Sequence, residues 1–366
     1  MSKVIWSFAS NGDKLQGGAF VTELEKSETS KGNFTTDYNT ICSAHGIIPC
    51  PYITATGSSC RMANARLDLA NWRAALIAIA MEGSSVKELS VHACGVTGQH
   101  LDDVIKAIEK MGGIAVLKLD YLTIHVTDGD AVEEGKSASS SSSSAGHASF
   151  LSLLKGSVSV EYLSLKGNSL NDFCKSESFY NALSENLSLK ALSLAENKLD
   201  DVACGNVLAG TRQAYALTEL SLSRNLCSGS CLPILQGIFV GAEVTPDAEA
   251  KFRNLIKLIG DKNKGIKDAN KLRKKKGLPD LVELIAPSER IEAGNMANRT
   301  VRAVDLSFCP LEVAAWSSFV SEVQNPANQK CSTTSLNATI ILRGCTLGLD
   351  TANGTTALIT GLSASI

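Results

Sequence analysis

The side chains that could do chemistry are His92 with Cys94, the trio Cys42, Cys50 and Cys60, and a run of cations from Lys251 to Lys276. His92-Ala-Cys94 offers an imidazole and a thiol to a metal, but a closed site needs about four ligands and no zinc-spaced Cys/His set accompanies the pair. Cys42, Cys50 and Cys60 are too widely spaced for a compact zinc knuckle and read as buried thiols. No nucleophile elbow, phosphate loop or paired-carboxylate motif occurs. From Lys251 to Lys276, eleven Lys or Arg residues face only Asp261 and Asp268. Such a run suits an electrostatic clamp on actin, anionic lipid or RNA; the plainer reading is a solvated loop balancing an acidic body. No catalytic residue, cofactor or metal is expected.

The elements that must position these groups come from a repeated frame. Leu189-x-x-Leu192-x-Leu194-x-x-Asn197-x-Leu199 returns as Leu217, Leu220, Leu222 and Asn225. This is the leucine-rich-repeat pattern, in which alternate leucines of a short strand enter a shared core and an Asn or Cys turns the chain. Further copies centre on Leu89 and Val91 with Cys94, on Leu117 and Leu119, on Leu163 and Leu165 with Asn168, on Val304 and Leu306 with Cys309, and on Ile340 and Leu342 with Cys345. Cys94, Cys309 and Cys345 share the turn position, so a structural role is expected of each. An irregular first copy is placed at Leu67-Asp-Leu69.

Steps of 28 residues from Leu89 to Leu117 and 29 from Leu163 to Leu192 leave about 15 residues after each turn, room for an outer helix. Leu101, Val104, Ile105 and Ile108 have one-face helical spacing. The expected fold is α/β: a leucine-rich-repeat solenoid, a ribonuclease-inhibitor-like horseshoe with parallel strands on the concave face and helices on the convex face. Residues 1–33 form a partly disordered lead-in, 34–349 the repeat domain, and 350–366 a tail or incomplete last repeat. A Ser-rich insertion spans 127–148 and cannot pack a core. A basic helical insertion spans 241–290 and is expected to be a hairpin with a basic tip; Phe252, Leu255, Ile256 and Ile259 give its first part an apolar face. The interval from Leu220 to Val304 is 84 residues, three periods long, yet no further frame is legible in it.

Strand alternation assigns the concave surface to Glu88, Ser90 and His92; Val116, Lys118 and Asp120; Tyr162, Ser164 and Lys166; Ala191, Ser193 and Ala195; Glu219, Ser221 and Ser223; Ala303, Asp305 and Ser307; and Thr339, Ile341 and Arg343. Small polar groups dominate it. Tyr162 and Arg343 are its only anchor-type side chains, so it is expected to be mostly solvated. The candidate interaction surface is therefore Lys271, Arg273, Lys274, Lys275 and Lys276 of the insertion, with Tyr162 and Arg343.

Composition limits function. The chain has 366 residues, is 44% hydrophobic and carries a formal charge of -2, which makes no global case for nucleic acid. The longest apolar run, Ala74 to Met81, is too short to span a bilayer, and no signal-peptide pattern opens the chain. A cytoplasmic location with reduced thiols is expected.

With the repeats in place, the chain resembles the leucine-rich-repeat region of CARMIL proteins. The likeness rests on the lead-in from Phe34 through Cys42 and Gly46 to Cys50, on the basic interruption after Asn225, and on the late copy from Ser335 to Leu347, and covers about residues 34 to 349. It implies a non-enzymatic scaffold in actin or cytoskeletal organisation, cytoplasmic or cytoskeleton-associated, with actin-regulatory or cytoskeletal protein partners and anionic lipid at the basic insertion; nucleic acid is not expected. The chain lacks the family's preceding membrane-binding domain, about half of its repeats and its capping-protein interaction motif, so uncapping is not carried over. Two alternatives stand beside this: an architectural subunit of a ciliary, flagellar or organellar assembly, and a small-GTPase regulator of the Ran GTPase-activating type, with Arg224 beside Asn225 as its arginine.

Overall fold

Alternation of buried and half-exposed residues runs through the predicted strands: Leu89 and Val91 are fully buried while Glu88, Ser90 and His92 are half-exposed. The computed structural model describes residues 15, 18–26, 29–65, 68–111, 114–125, 147–155, 160–214, 216–239, 246–275, 280, 283, 301–325 and 339–345. The chain is mixed α/β with a mostly parallel sheet. It divides into two compact units, Met1–Asn168 and Ser169–Ile366.

In the first unit α1 (Gly18–Lys26) and α2 (Phe34–Ala44) precede a hairpin of β1 (Ile53–Thr56) and β2 (Ser59–Ala63). There follow α3 (Leu69–Ala80), β3 (Glu88–His92), β4 (Gly95–Thr97), α4 (Gly98–Met111), β5 (Val116–Asp120), β6 (Thr123–His125), a helix α5 over 147–155, and β7 (Tyr162–Ser164). β2, β3, β5 and β7 are parallel neighbours in that order, and β4 pairs with β6 in a small second sheet. The register sets Leu89 beside Leu117 and Leu117 beside Leu163. The 46-residue step from Leu117 to Leu163 thus adds no strand between these neighbours. Of the predicted Ser-rich insertion, 127–146 lie outside the described residues.

The first copy of the frame is not where the sequence suggested. Leu67 lies outside the described residues and Leu69 opens α3, N-capped by Asp68, whose carboxylate accepts from the Asn71 amide at 2.9 Å. The strand one step before β3 is β2, in which Cys60 pairs with Leu89 and Met62 with Val91. Cys60 and Met62, both 0% exposed, take the inward leucine positions. A 29-residue step from Cys60 to Leu89 restores the period. The error has a physical cause: Cys and Met fill a core as leucine does but carry no repeat signature.

The lead-in also contributes to the core. Phe20 and Leu24 of α1 are buried, and the Leu15 carbonyl accepts from Arg73 Nη1 at 2.6 Å. Residues 1–14 lie outside the described residues. α3 is buried from Ala70 to Ile79, Arg73 included. The guanidinium is tolerated there because its Nε meets Asp103 of α4 at 2.7 Å. Leu101, Val104 and Ile108 of α4 are buried and Ile105 half-exposed, as their spacing predicted.

The second unit holds α6 (Asn171–Cys174), α7 (Glu177–Ser184), β8 (Ala191–Ser193), α8 (Asp201–Gln213), β9 (Glu219–Ser221), α9 (Leu232–Phe239), α10 (Pro246–Lys275), β10 (Ala303–Asp305), α11 (Val313–Gln324) and β11 (Thr339–Ile341). β8 to β11 are parallel, with Leu192 beside Leu220, Leu220 beside Val304 and Val304 beside Ile340. Direct pairing of β9 with β10 means that the 84-residue interval contributes no strand between them. Within that interval α10 is one unbroken helix of 30 residues, about 45 Å long. The second arm of the predicted hairpin falls in 276–300, where only Asp280 and Glu283 are described. Residues 350–366 lie outside the described residues.

The turns repeat as faithfully as the strands. Asn64, Ala93, Tyr121, Gly167, Glu196, Arg224, Phe308 and Gly344 each precede the Asn/Cys position of their copy, and all have φ between 51° and 70°. The turn residue then reaches back to the previous copy. Asn168 Nδ2 donates to the Leu119 carbonyl at 2.6 Å and Asn225 Nδ2 to the Leu194 carbonyl at 3.0 Å. Cys309 Sγ meets the Leu222 carbonyl at 3.3 Å and Cys345 Sγ the Leu306 carbonyl at 3.1 Å. A thiol is a weaker donor than an amide, but it fits the same bend.

Candidate interaction surface

Outward side chains of the strands and turns make two different faces. In the first unit the groups satisfy one another. Lys118 Nζ, from β5, lies 2.7 Å from Glu88 Oε1 of β3 and sits over the Tyr162 ring of β7, 5.8 Å from its centroid. Asp120 Oδ1 accepts from Ser164 Oγ at 2.5 Å and from the Lys166 amide at 3.1 Å. Lys166 Nζ lies 5.5 Å from the centroid of Tyr121, whose ring meets His92 edge-on at 5.2 Å. Tyr162, expected to be an anchor, is therefore half-exposed beneath a neutralised lysine. Ser164 is 3% exposed, less than its strand position suggested, because of its bond to Asp120.

In the second unit larger side chains of this face stay exposed. Arg224 lies over the Phe308 ring, 4.4 Å from its centroid, and its Nε is 3.6 Å from Glu196 Oε1. Phe308 remains 49% exposed. Its ring covers Gly344, where a Cβ would approach Phe308 Cε1 to 2.3 Å. Arg343, the other expected anchor, is exposed next to that glycine, and its amide donates to Ser307 Oγ at 3.2 Å. Glu196, Arg224, Phe308 and Gly344 thus occupy the left-handed turn position of four successive copies.

That position costs a non-glycine residue about 1–2 kcal/mol, and Gly167 and Gly344 show the inexpensive solution. Arg224 and Phe308 keep large side chains there and display them. Sequence reasoning missed Phe308 because its search for anchors stopped at the strand alternation. The frame itself supplied the signal, since the residue before the turn position, an Asn or Cys in six copies, Ala65 and Leu122 in the others, has the same backbone in all eight described copies.

The basic residues lie at the end of α10. Lys271, Lys274 and Lys275 are exposed and Arg273 is half-buried, while Lys276 lies outside the described residues. Arg273, Lys274 and Lys275 occupy the last helical turn, where cations complement the partial negative charge of the free carbonyls. Lys271 Nζ meets Asp268 Oδ1 at 2.9 Å and Lys267 Nζ meets Glu283 Oε2 at 3.4 Å. Ile259 is buried and Ile256 half-exposed, whereas Leu258 and Leu272 are exposed; Phe252 and Leu255 lie outside what the structure describes of side chains. Tyr162 belongs to the first unit, and the basic turn and Arg343 to the second.

Two groups of cysteines bear on chemistry. Cys42, Cys50, Cys60 and Cys94 are buried free thiols. Burial pushes Cys42 up to about 11 and Cys60 up to about 12, so neither is a nucleophile at neutral pH. Cys94 Sγ contacts the His92 carbonyl at 3.4 Å, in keeping with its turn role. The second group was not anticipated: Asp201, Cys227 and Cys231 place their ligand atoms within 4.8 Å of one another, with Cys204 hydrogen-bonded to Cys227. Sequence spacing hid it because its members come from two copies of the frame.

No protein-family model matches the chain, and no curated protein matches it. Among the described residues no helix is long and apolar enough to cross a membrane.

Proposed function

We propose that the chain is a leucine-rich-repeat solenoid of the ribonuclease-inhibitor type that works as a non-enzymatic protein-interaction scaffold, CARMIL-like, in actin or cytoskeletal organisation. What carries the scaffold reading is the exposed Arg224–Phe308 pair. Trp, Tyr and Arg dominate binding hot spots, and a half-exposed aromatic braced by a guanidinium offers a partner a rigid apolar surface with charge beside it. The basic last turn of α10 adds a contact for acidic protein or anionic lipid. Arg224 is held by Glu196 and Phe308, which suits a packed contact better than an arginine reaching for a nucleotide, so the GTPase-regulator reading is set below the scaffold. The architectural-subunit reading shares the same surface and differs in the partner.

The test is affinity capture from cell lysate with three forms: wild type, Phe308→Ala, and a variant with Lys271, Arg273, Lys274 and Lys275 changed to Ser. Actin regulators recovered by wild type and lost from either variant support the cytoskeletal reading. A fixed large assembly recovered by all three turns it toward an architectural subunit. Turnover of a small substrate that one point mutation abolishes overturns the scaffold.

A further inference from the structure

We propose that Cys204, Cys227 and Cys231, together with Asp201, form a closed structural site for one thiophilic divalent cation of the zinc class. The four residues lie in two pairs. Asp201 and Cys204 are three apart in the first turn of α8, hence on one face. Cys227 and Cys231 flank the tight turn that leads into α9. Cys227 Sγ and Cys231 Sγ are 2.9 Å apart, and the carboxylate of Asp201 joins them within 4.8 Å; Cys204 adjoins this trio through its hydrogen bond with Cys227. Ligand atoms on a tetrahedral cation with metal–sulfur bonds of about 2.3 Å stand roughly 3.8 Å apart. A spreading of the two thiols by about an ångström therefore admits the ion.

Three features separate this cluster from ordinary core cysteines. Cys204, Cys227 and Cys231 are all at most 1% exposed and Asp201 is half-exposed; four protein ligands with no open position make a structural rather than a catalytic site. Their sulfurs have chiefly each other for partners. Cys309, by contrast, spends its thiol on the Leu222 carbonyl at 3.3 Å, whereas Cys204 reaches the Leu199 carbonyl only at 3.8 Å. Lastly, the surroundings favour anionic ligands. The Gly229 amide donates to Cys227 as well as to Asp201 Oδ1, at 3.2 Å, and the Ser228 amide donates to Oδ1 at 2.9 Å. The Ser228 hydroxyl donates to Oδ2. Such outer donors orient and stabilise ligands at metal sites. Asp201 also has a bond with the exposed Ser230 hydroxyl, which is the group the cation would displace to solvent.

A Cys227–Cys231 disulfide is the rival chemistry. Forming it removes two protons and two electrons, and an oxidant would have to reach sulfurs that are shut away from water. Binding a cation needs no oxidant. Its consequence would be structural: it would clamp α8 to the turn before α9 just where the long insertion leaves the frame.

The experiment is titration of Co2+ into the reduced, chelator-stripped full chain. The expected result is a thiolate-to-cobalt charge-transfer band and tetrahedral ligand-field bands that saturate at one equivalent and are displaced by Zn2+. Cys227→Ser should abolish the band, Cys345→Ser should leave it, and Ser228→Ala should weaken binding by about 10-fold through loss of an outer donor. If Cys227→Ser does not fold, wild type still decides through a Zn2+-dependent rise in Tm that chelator reverses. The proposal is overturned if reduced wild type shows no charge-transfer band, if the band survives in Cys227→Ser, or if non-reducing peptide mapping finds Cys227 linked to Cys231 in protein purified under air.

Discussion

The two units place polar groups inside and outside in different ways. The first buries an ion pair, Arg73 with Asp103, in its helical layer and neutralises its outward face through Glu88, Lys118, Tyr162 and Asp120. The second buries thiols in its helical layer and leaves Phe308, Arg224 and Arg343 displayed. The difference teaches that one repeat frame prescribes the strand and the turn but not the use of the positions around them. Internal pairing neutralises the first face, while on the second Phe308, Arg224 and Arg343 stay exposed.

The largest effect is expected from breaking the buried pair of the first unit. Arg73→Met leaves Asp103, at 0% exposure, with Lys106 as its remaining cation at 3.7 Å, and should cost about 3–5 kcal/mol in chemical denaturation. Adding Asp103→Leu should recover much of that loss. If Arg73→Met alone is neutral, the unit is not held by this pair.

A loss of about 3 kcal/mol is expected for Asn225→Ala in the second unit. Its amide serves the Asn197 and Leu199 N–H groups, both at 3.0 Å, and the Leu194 and Leu222 carbonyls, groups that become buried and unpaired. Cys345→Ala, which removes one weak thiol contact, should cost about 1 kcal/mol or less by the same measurement. Equal losses would show that the thiol holds its turn as strongly as the amide does, against this expectation.

Gly167→Ala compares the two units directly with Gly344→Ala. A Cβ on Gly167 would lie 2.2 Å from Tyr121 Cδ1, and on Gly344 2.3 Å from Phe308 Cε1. Tyr121 is pinned between His92 and Lys166, whereas Phe308 is exposed and braced on one side by Arg224, so its ring can tilt from a new Cβ at smaller cost. A cost of about 2 kcal/mol is expected for the first and about 1 kcal/mol for the second, the residual being left-handed backbone strain. Melting curves of the two variants read this difference.

The smallest effect concerns acid stability in the second unit. Burial alone would raise Asp200, the N-cap of α8, but bonds from Lys175, the Ala203 amide and Asn171 outweigh it and hold the carboxyl at about 2. Because the folded value is depressed, this stabilisation is present above the ordinary carboxylate value of 3.8 and is lost as pH falls toward 2. Lys175→Met should shrink it by under about 1 kcal/mol, since the pair is exposed. Denaturation at pH 6 and pH 3 should show the variant and wild type converging in acid.

Much of the fold was legible because its signals are local. Leu163 and Leu165, Leu192 and Leu194, and Leu220 and Leu222 announce strands by period-two alternation, and Asn168 and Asn225 mark turns whose backbone groups a short amide satisfies. The first strand was illegible because Cys60 and Met62 satisfy volume without matching the pattern, and the nearby leucine at position 69 belonged to a helix instead. Tyr162 and Arg343 were found by alternation, but exposure depends on neighbours: Lys118 covers one, and Gly344 leaves room for Phe308 beside the other.

The sequence by itself determined the frame, the inward positions and the turn residues, since these follow from geometry within about a dozen residues. Tertiary structure decided which copies adjoin across the long insertions, which outward groups neutralise one another, and that Asp201, Cys204, Cys227 and Cys231 meet. Those outcomes depend on distances between separate copies, and parallel stacking brings residues about 28 positions apart to within a few ångströms, a relation that no local pattern records.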